Sequence, residues 1–202
     1  MLQQKAVKPE LLELLNKLML INEFSDFYLV GGTALALYDG HRISVDIDLF
    51  GKCSLDESVF TTLLKNVGQT IVLSQNPKIL IYSVNEIKVD FVNYQYRLIE
   101  PGNIIDGIRI LSKKDIAAMK LNAVAGRGSK KDFFDIVQLL KEFTLTEMLS
   151  FYAIKYNQNS EFMVIKSLLY FDDAENEPDP ICLLPINWDE VKKIIISHVQ
   201  KL

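Results

Sequence analysis

LVGGTALALYDGHRISVDIDLF, from Leu29 to Phe50, holds most of the information about this chain. The short aromatic and branched run Phe27 to Val30 stops at Gly31-Gly32, the pattern of a strand ending in a turn. Thr33 to Tyr38 then predicts a short helix, with Gly40 closing it. Ile43 to Phe50 sets Ile43, Val45, Ile47 and Leu49 against Ser44, Asp46, Asp48 and Phe50, which is the alternation of a strand with one apolar face. The other face carries both aspartates.

Residues two apart on a strand point the same way, so Asp46 and Asp48 stand side by side and repel one another unless a cation lies between them. Mg²⁺ (or Mn²⁺) takes oxygen ligands and keeps waters and phosphate oxygens, so a carboxylate pair is the usual protein share of such a site. Asp90 is the candidate third ligand. In KVDFV, Lys88, Asp90 and Val92 face away from Val89 and Phe91. If this strand lies beside the first, three carboxylates converge, and two cations roughly 3.5–4 Å apart would activate a hydroxyl and steady a leaving pyrophosphate. Gly31 and Gly32 let backbone approach a phosphate, and the helix-start amides with the Thr33 hydroxyl can bond it. Taken singly, a Gly-Gly turn is chain geometry and D-x-D is an exposed polar pair. In this order and at this distance they favour chemistry.

Outward from this core, residues 10–24 predict a helix, residues 56–67 another, and Ile79 to Val84 and Ile87 to Tyr94 two strands joined at Asn85-Glu86. From Ser112 the pattern is helical. Ser112 with Asp115 and Ser129 with Asp132 have capping-box spacing on either side of Gly126-Arg127-Gly128. Further helices are expected near 144–156, 160–170 and 188–200. FDDAENEPDP, residues 171–180, reads as a loop because clustered acids and prolines do not sustain a helix. The expected architecture is α/β (α+β): a mixed sheet flanked by helices over residues 1–108, and a helical domain over 109–202 that completes the nucleotide and acceptor site.

Hydrophobic residues are 49% and charged residues 24% of the 202, which describes an ordinary folded chain. A net charge of -4 excludes a general polycation that would grip nucleic acid indiscriminately. Any anion-binding surface must be local, and Arg109 to Lys131 holds seven basic residues against one acid. Lys120 lies in the small, apolar segment AAMKLNAVA, where an amine turned inward needs an anion. Arg127 can act in a site or cap a helix end, and Asp135 can orient Lys131 or Arg127 through an ion pair. Arg42 can contact phosphate or brace a carboxylate. Cys53 and Cys182 match no ligand spacing. No run approaches the length of a membrane span and the N-terminus has no cleavage-site pattern, so the expected place is the cytoplasm, with no membrane partner.

GG-T-A-L-A-L followed by H-R-x-S-x-D-I-D-L-F resembles the signature of the nucleotidyltransferase superfamily, the DNA polymerase beta type of fold. More closely the chain resembles the AbiEii/AbiGii abortive-infection toxin family, through IKVDF around Asp90, DIAAMKLNAVAGRGSKKDFFDIVQLL from Asp115 to Leu140, and FDDAE at 171–175 with the Trp188 helix. The resemblance implies transfer of a nucleotide from a nucleoside triphosphate to an acceptor, with tRNA foremost and a protein or small molecule as the other choices. It also implies a cognate antitoxin as partner. By the same likeness Gly31, Gly32 and Thr33 hold triphosphate and Asp46 and Asp48 bind metal. Lys120 contacts phosphate or supports chemistry, and Arg127, Lys131, Asp132 and Asp135 follow in the basic and K-D-x-x-D segment. The alternative reading is a catalytically inactive nucleotide-binding or protein-interaction member of the same fold.

Overall fold

A computed structural model describes residues 1–157 and 161–202. The chain forms two compact units, one from Met1–Gln95 with Gly102–Leu111, the other from Tyr96–Pro101 with Ser112–Leu202.

The first unit is a mixed sheet flanked by helices. Among the described residues its seven strands are β1 (Tyr28–Leu29), β2 (Ile47–Gly51), β3 (Thr70–Asn76), β4 (Ile79–Val84), β5 (Ile87–Asn93), β6 (Asn103–Ile105) and β7 (Ile108–Ile110), in the order β3-β4-β5-β2-β1-β7-β6. β2 runs parallel to β5 and antiparallel to β1, and β1 runs parallel to β7. Asn85 and Glu86, both at positive φ, make the tight turn expected between β4 and β5. Asp106-Gly107 does the same between β6 and β7, a hairpin the sequence reading passed over. β3 carries no such local signal: it is an edge strand whose residues are almost all exposed and whose register is broken by a bulge, so its sequence lacks alternation.

Helix α1 (Pro9–Met19) starts on a proline suited to a first turn and buries Leu11, Leu14, Leu15, Leu18 and Met19. It ends sooner than the expected Phe24, because residues Asn22–Phe24 tighten into a 3₁₀ turn that leads into β1. Arg109 holds this corner, donating to the carbonyls of Met19, Phe24 and Phe27 at 2.8–3.0 Å. Beneath it Phe24, Phe27, Phe60 and Phe91 pack ring against ring, with centroids 4.7–6.3 Å apart. Helices α2 (Gly31–Asp39) and α3 (Glu57–Lys65) complete the unit. Gly40, in the left-handed region, ends α2, and the Asp56 side chain caps α3.

In the second unit α4 (Lys113–Gly126) packs on α5 (Lys130–Leu139), α6 (Leu145–Tyr156) and α7 (Phe162–Leu168). Residue 160, where the sequence placed the start of α7, lies outside the described residues. Contrary to expectation, the acidic stretch contains one helical turn, α8 (Asp172–Glu175). α9 (Trp188–Val199) covers Phe133, Phe134 and Phe171 with its tryptophan. Tyr96–Pro101 joins this unit for a definite reason. The fully buried Asp115 accepts from the amides of Ile99 and Glu100, from the Ser112 hydroxyl and from Lys155 at 2.7 Å, and Lys155 also donates to the carbonyl of Arg97.

Candidate active site

Two groups of charged side chains stand out, one in each unit. In the first, β2 alternates between buried Ile47, Leu49 and Gly51 and half-buried Asp48 and Phe50. β5 repeats the pattern with Val89 and Phe91 inward and Asp90 on the other face. The two strands are parallel with Asp48 opposite Asp90, so the carboxylates share one face on neighbouring strands. This is the adjacency that the reading of Asp90 required.

β2 begins at Ile47, four residues later than the expected Ile43. The preceding segment is held as a loop. Ser44 makes an isolated parallel bridge to Val7, and the buried Thr33 hydroxyl meets the Ser44 hydroxyl at 2.8 Å and donates to the Asp46 carbonyl. Thr33 therefore fixes the backbone of Asp46, one residue before the strand. Arg42 is buried in the same loop and donates to the Ile43 carbonyl.

Gly31 opens α2 at φ +70, and a Cβ there would lie 2.6 Å from Asp48 Oδ2. The carboxylate occupies the space that any other residue would fill. The residue before the helix, Val30, contributes no side-chain cap, while its amide donates to the Asp48 carbonyl at 2.9 Å. Gly31, Gly32 and Thr33 thus form the first turn of a helix beside an aspartate, where amides lack partners within the helix and the macrodipole favours an anion.

Asp90 has unequal oxygens. Oδ2 accepts from Lys88 at 2.6 Å, and Oδ1 is buried without a hydrogen bond among the described residues. A buried, under-satisfied carboxylate oxygen in register with a second carboxylate fits an oxygen-seeking cation such as Mg²⁺. Among the described residues no group of three or more His, Cys, Asp or Glu side chains forms a ready-made cation cage.

The second group centres on Asp132, which is fully buried at the start of α5. It takes Lys120 Nζ at 2.9 Å, Arg127 Nε at 2.9 Å and the Ser129 hydroxyl at 3.1 Å. Lys120, itself buried, also meets Asp135 at 2.6 Å. Burial pushes the Asp132 carboxyl upward, but the Lys120 charge and the Arg127 hydrogen bond and charge outweigh it and hold the group below its ordinary value. The amine read as wanting an anion has two. Arg127 keeps 62% of its side chain exposed, and Lys131 is exposed on the first turn of α5.

Two lysines escaped the sequence reading. Lys88 was legible only as a face-mate of Asp90. Lys130, next to Lys131, is buried, with Nζ 3.0 Å from Asp179, 3.1 Å from the Glu175 carbonyl and over the Trp188 ring. The acidic run therefore clamps a lysine, which local composition does not reveal.

The model of the family described as nucleotidyl transferase AbiEii toxin, type IV toxin–antitoxin system, matches residues 13–198. The chain belongs to the AbiEii family. Within the curated proteins it is 37% identical over 207 residues to the uncharacterized protein aq_aa25 of Aquifex aeolicus (strain VF5), covering 98% of each chain. Two solved structures share the AbiEii chain's fold. JHP933 from Helicobacter pylori aligns with a TM-score of 0.60 at 16% identity, over 95% of this chain and 88% of that one. MenT4, the nucleotidyltransferase toxin Rv2826c of Mycobacterium tuberculosis H37Rv, aligns with a TM-score of 0.58 at 15% identity, over 94% and 81%. The mixed sheet with a C-terminal helical region is the nucleotidyltransferase-like architecture. Among the described residues no helix is long and apolar enough to cross a membrane.

Proposed function

We propose that this AbiEii-family chain transfers a nucleoside monophosphate from a nucleoside triphosphate to an acceptor hydroxyl, tRNA being the foremost acceptor, and that it acts as the toxin of a toxin–antitoxin pair. The observation that carries the reading is the in-register Asp48/Asp90 pair set against the Gly31 turn. Gly31 and Gly32 bring backbone close to the triphosphate, and Thr33 lends an amide to that turn while its hydroxyl fixes Asp46. Mg²⁺ or Mn²⁺ held by Asp46, Asp48 and Asp90 would neutralise triphosphate charge and favour the alkoxide of the acceptor. The acceptor oxygen bonds to the α-phosphorus, the bond to the β-phosphate's bridging oxygen breaks, pyrophosphate leaves, and the hydroxyl proton passes to a carboxylate of the pair.

In the second unit we assign Arg127 and Lys131 to phosphate. Lys120 serves as the positioning group that, with Asp132, holds Arg127 in one orientation. Arg42 braces the loop that carries Asp46.

The test incubates the full chain with Mg²⁺ and each α-labelled nucleoside triphosphate, with total tRNA or with protein alone, beside the Asp46→Ala/Asp48→Ala variant. Label on an acceptor, reduced at least a thousandfold in the variant with its melting transition retained, is the expected result. Label that survives the double substitution contradicts the site.

A further inference from the structure

The Lys88–Asp90 contact is unusual for its setting. Lys88 and Asp90 lie two apart on β5, on the face that also carries Asp48, and their side chains are 43% and 16% exposed. The nearest cross-strand neighbours of the pair on β4 are Ser83 and Ile81, neither of which is charged. Asp90 thus faces Asp48 on one flank and uncharged side chains on the other. Two carboxylates opposite one another on adjacent strands repel, and something must offset that repulsion. Lys88 supplies the positive charge on the spot, through Oδ2, while Oδ1 stays buried without a hydrogen bond. An ion pair with a half-exposed ammonium is weak and is remade at little cost. The lysine stem is long and flexible, so its ammonium can swing into solvent without moving the strand.

From this arrangement we infer that Lys88 is the built-in counter-ion of the cation site: its ammonium on Oδ2 and a divalent cation taking the open Oδ1 compete for the one charge of the Asp90 carboxylate, and binding of the cation expels the ammonium. The inference rests on the reading of Asp90 as a cation ligand. It adds that metal occupancy is set against an internal competitor and that the charge of Asp90 stays offset when no cation is present. Lys88 is a positioning residue in this scheme, because its effect on the reaction runs through Asp90.

Mn²⁺ titration of the full chain, followed by calorimetry and by the electron paramagnetic resonance signal of free Mn²⁺, tests the idea without any turnover. The set is wild type, Lys88→Met, Asp90→Asn and the double variant, with Lys88→Gln as a second neutral replacement should Lys88→Met fold poorly. Lys88→Met is expected to bind Mn²⁺ roughly two- to fivefold more tightly than wild type. In the Asp90→Asn background the same change should have no effect. An unchanged affinity in Lys88→Met and Lys88→Gln, with Asp90→Asn still weakening Mn²⁺, overturns the counter-ion role and leaves the cation site standing. Equal tightening in both backgrounds also overturns it, since Lys88 would then act as a distant charge. Mn²⁺ binding that Asp90→Asn leaves untouched removes the cation reading of Asp90 and the inference with it.

Discussion

Gly31 answers to two demands at once, a left-handed φ of +70 and a carboxylate oxygen 2.6 Å from where its Cβ would be. An alanine there must accept a backbone conformation that costs an L-residue about 1–2 kcal/mol and must push Asp48 aside. Gly31→Ala should therefore lower the melting temperature by roughly 2–8 °C. Nucleotide transfer should fall more than tenfold, beyond what the small unfolded fraction explains. Thermal melting and the transfer assay on one sample decide it, and full activity at the lowered melting point would mean that the turn does not place Asp48. Asp132 makes a different kind of prediction. Its carboxyl is held below the ordinary value despite burial, so the unfolded chain binds its proton more readily than the folded one. The stabilisation is then complete above the unfolded carboxylate value of about 3.9 and is lost as pH falls through the lower folded value. Asp132→Asn removes the charge that Lys120 and Arg127 share, while Asp135 still pairs Lys120 and Arg127 still reaches water, at a cost of about 1.5–3 kcal/mol near neutrality. Urea midpoints of wild type and variant should differ by a constant amount from about pH 7 to pH 5 and converge below about pH 4. A gap unchanged into acid would show that the interaction is not that of a charge.

Among the elements, α4, α6 and the strap Tyr96–Pro101 are tied by one buried pair, Asp115 with Lys155, each with no exposed side-chain surface. Lys155→Met should cost about 3–5 kcal/mol, because Asp115 is left charged in a dry site. Adding Asp115→Asn should recover part of that loss in denaturant melts, whereas simple additivity would argue against a coupled pair. Lys155 stands 40 residues from Asp115 in the chain, and only the Ser112 half of its partner's surroundings was legible as a capping box. Elements whose signal is local were legible in the sequence: the β4–β5 turn at Asn85-Glu86, the Gly40 stop of α2 and the onset of α4 at Ser112. β3 was not, because it is an exposed edge without a buried face to impose alternation. The true start of β2 was not either, since Thr33 and Val7, distant in sequence, hold Ser44 and Asp46 out of the strand. A clamp such as Lys130 on Glu175, Asp179 and Trp188 needs the acidic segment to fold back, and local composition shows only its charge.

For the molecule as a whole, the order of motifs was the legible part. Gly31-Gly32, the aspartate strand and IKVDF appear in sequence as they appear in the sheet, where β2 and β5 become parallel neighbours and Asp48 meets Asp90. The pairing of Lys120 with both Asp132 and Asp135 was half legible, as an inward amine in need of an anion whose identity only folding supplies. Membership of the AbiEii family joins these groups into one expectation about chemistry, that the α-phosphorus is the centre attacked. The most direct measurement supplies the same nucleoside triphosphate twice, labelled once at the α and once at the γ phosphate, with total tRNA, Mg²⁺ and either wild type or Asp48→Asn. The account predicts that the α label joins the acceptor while the γ label is released as pyrophosphate in equal amount, and that Asp48→Asn does neither. Acceptor carrying the γ label, or α label joined equally well by Asp48→Asn, would contradict it.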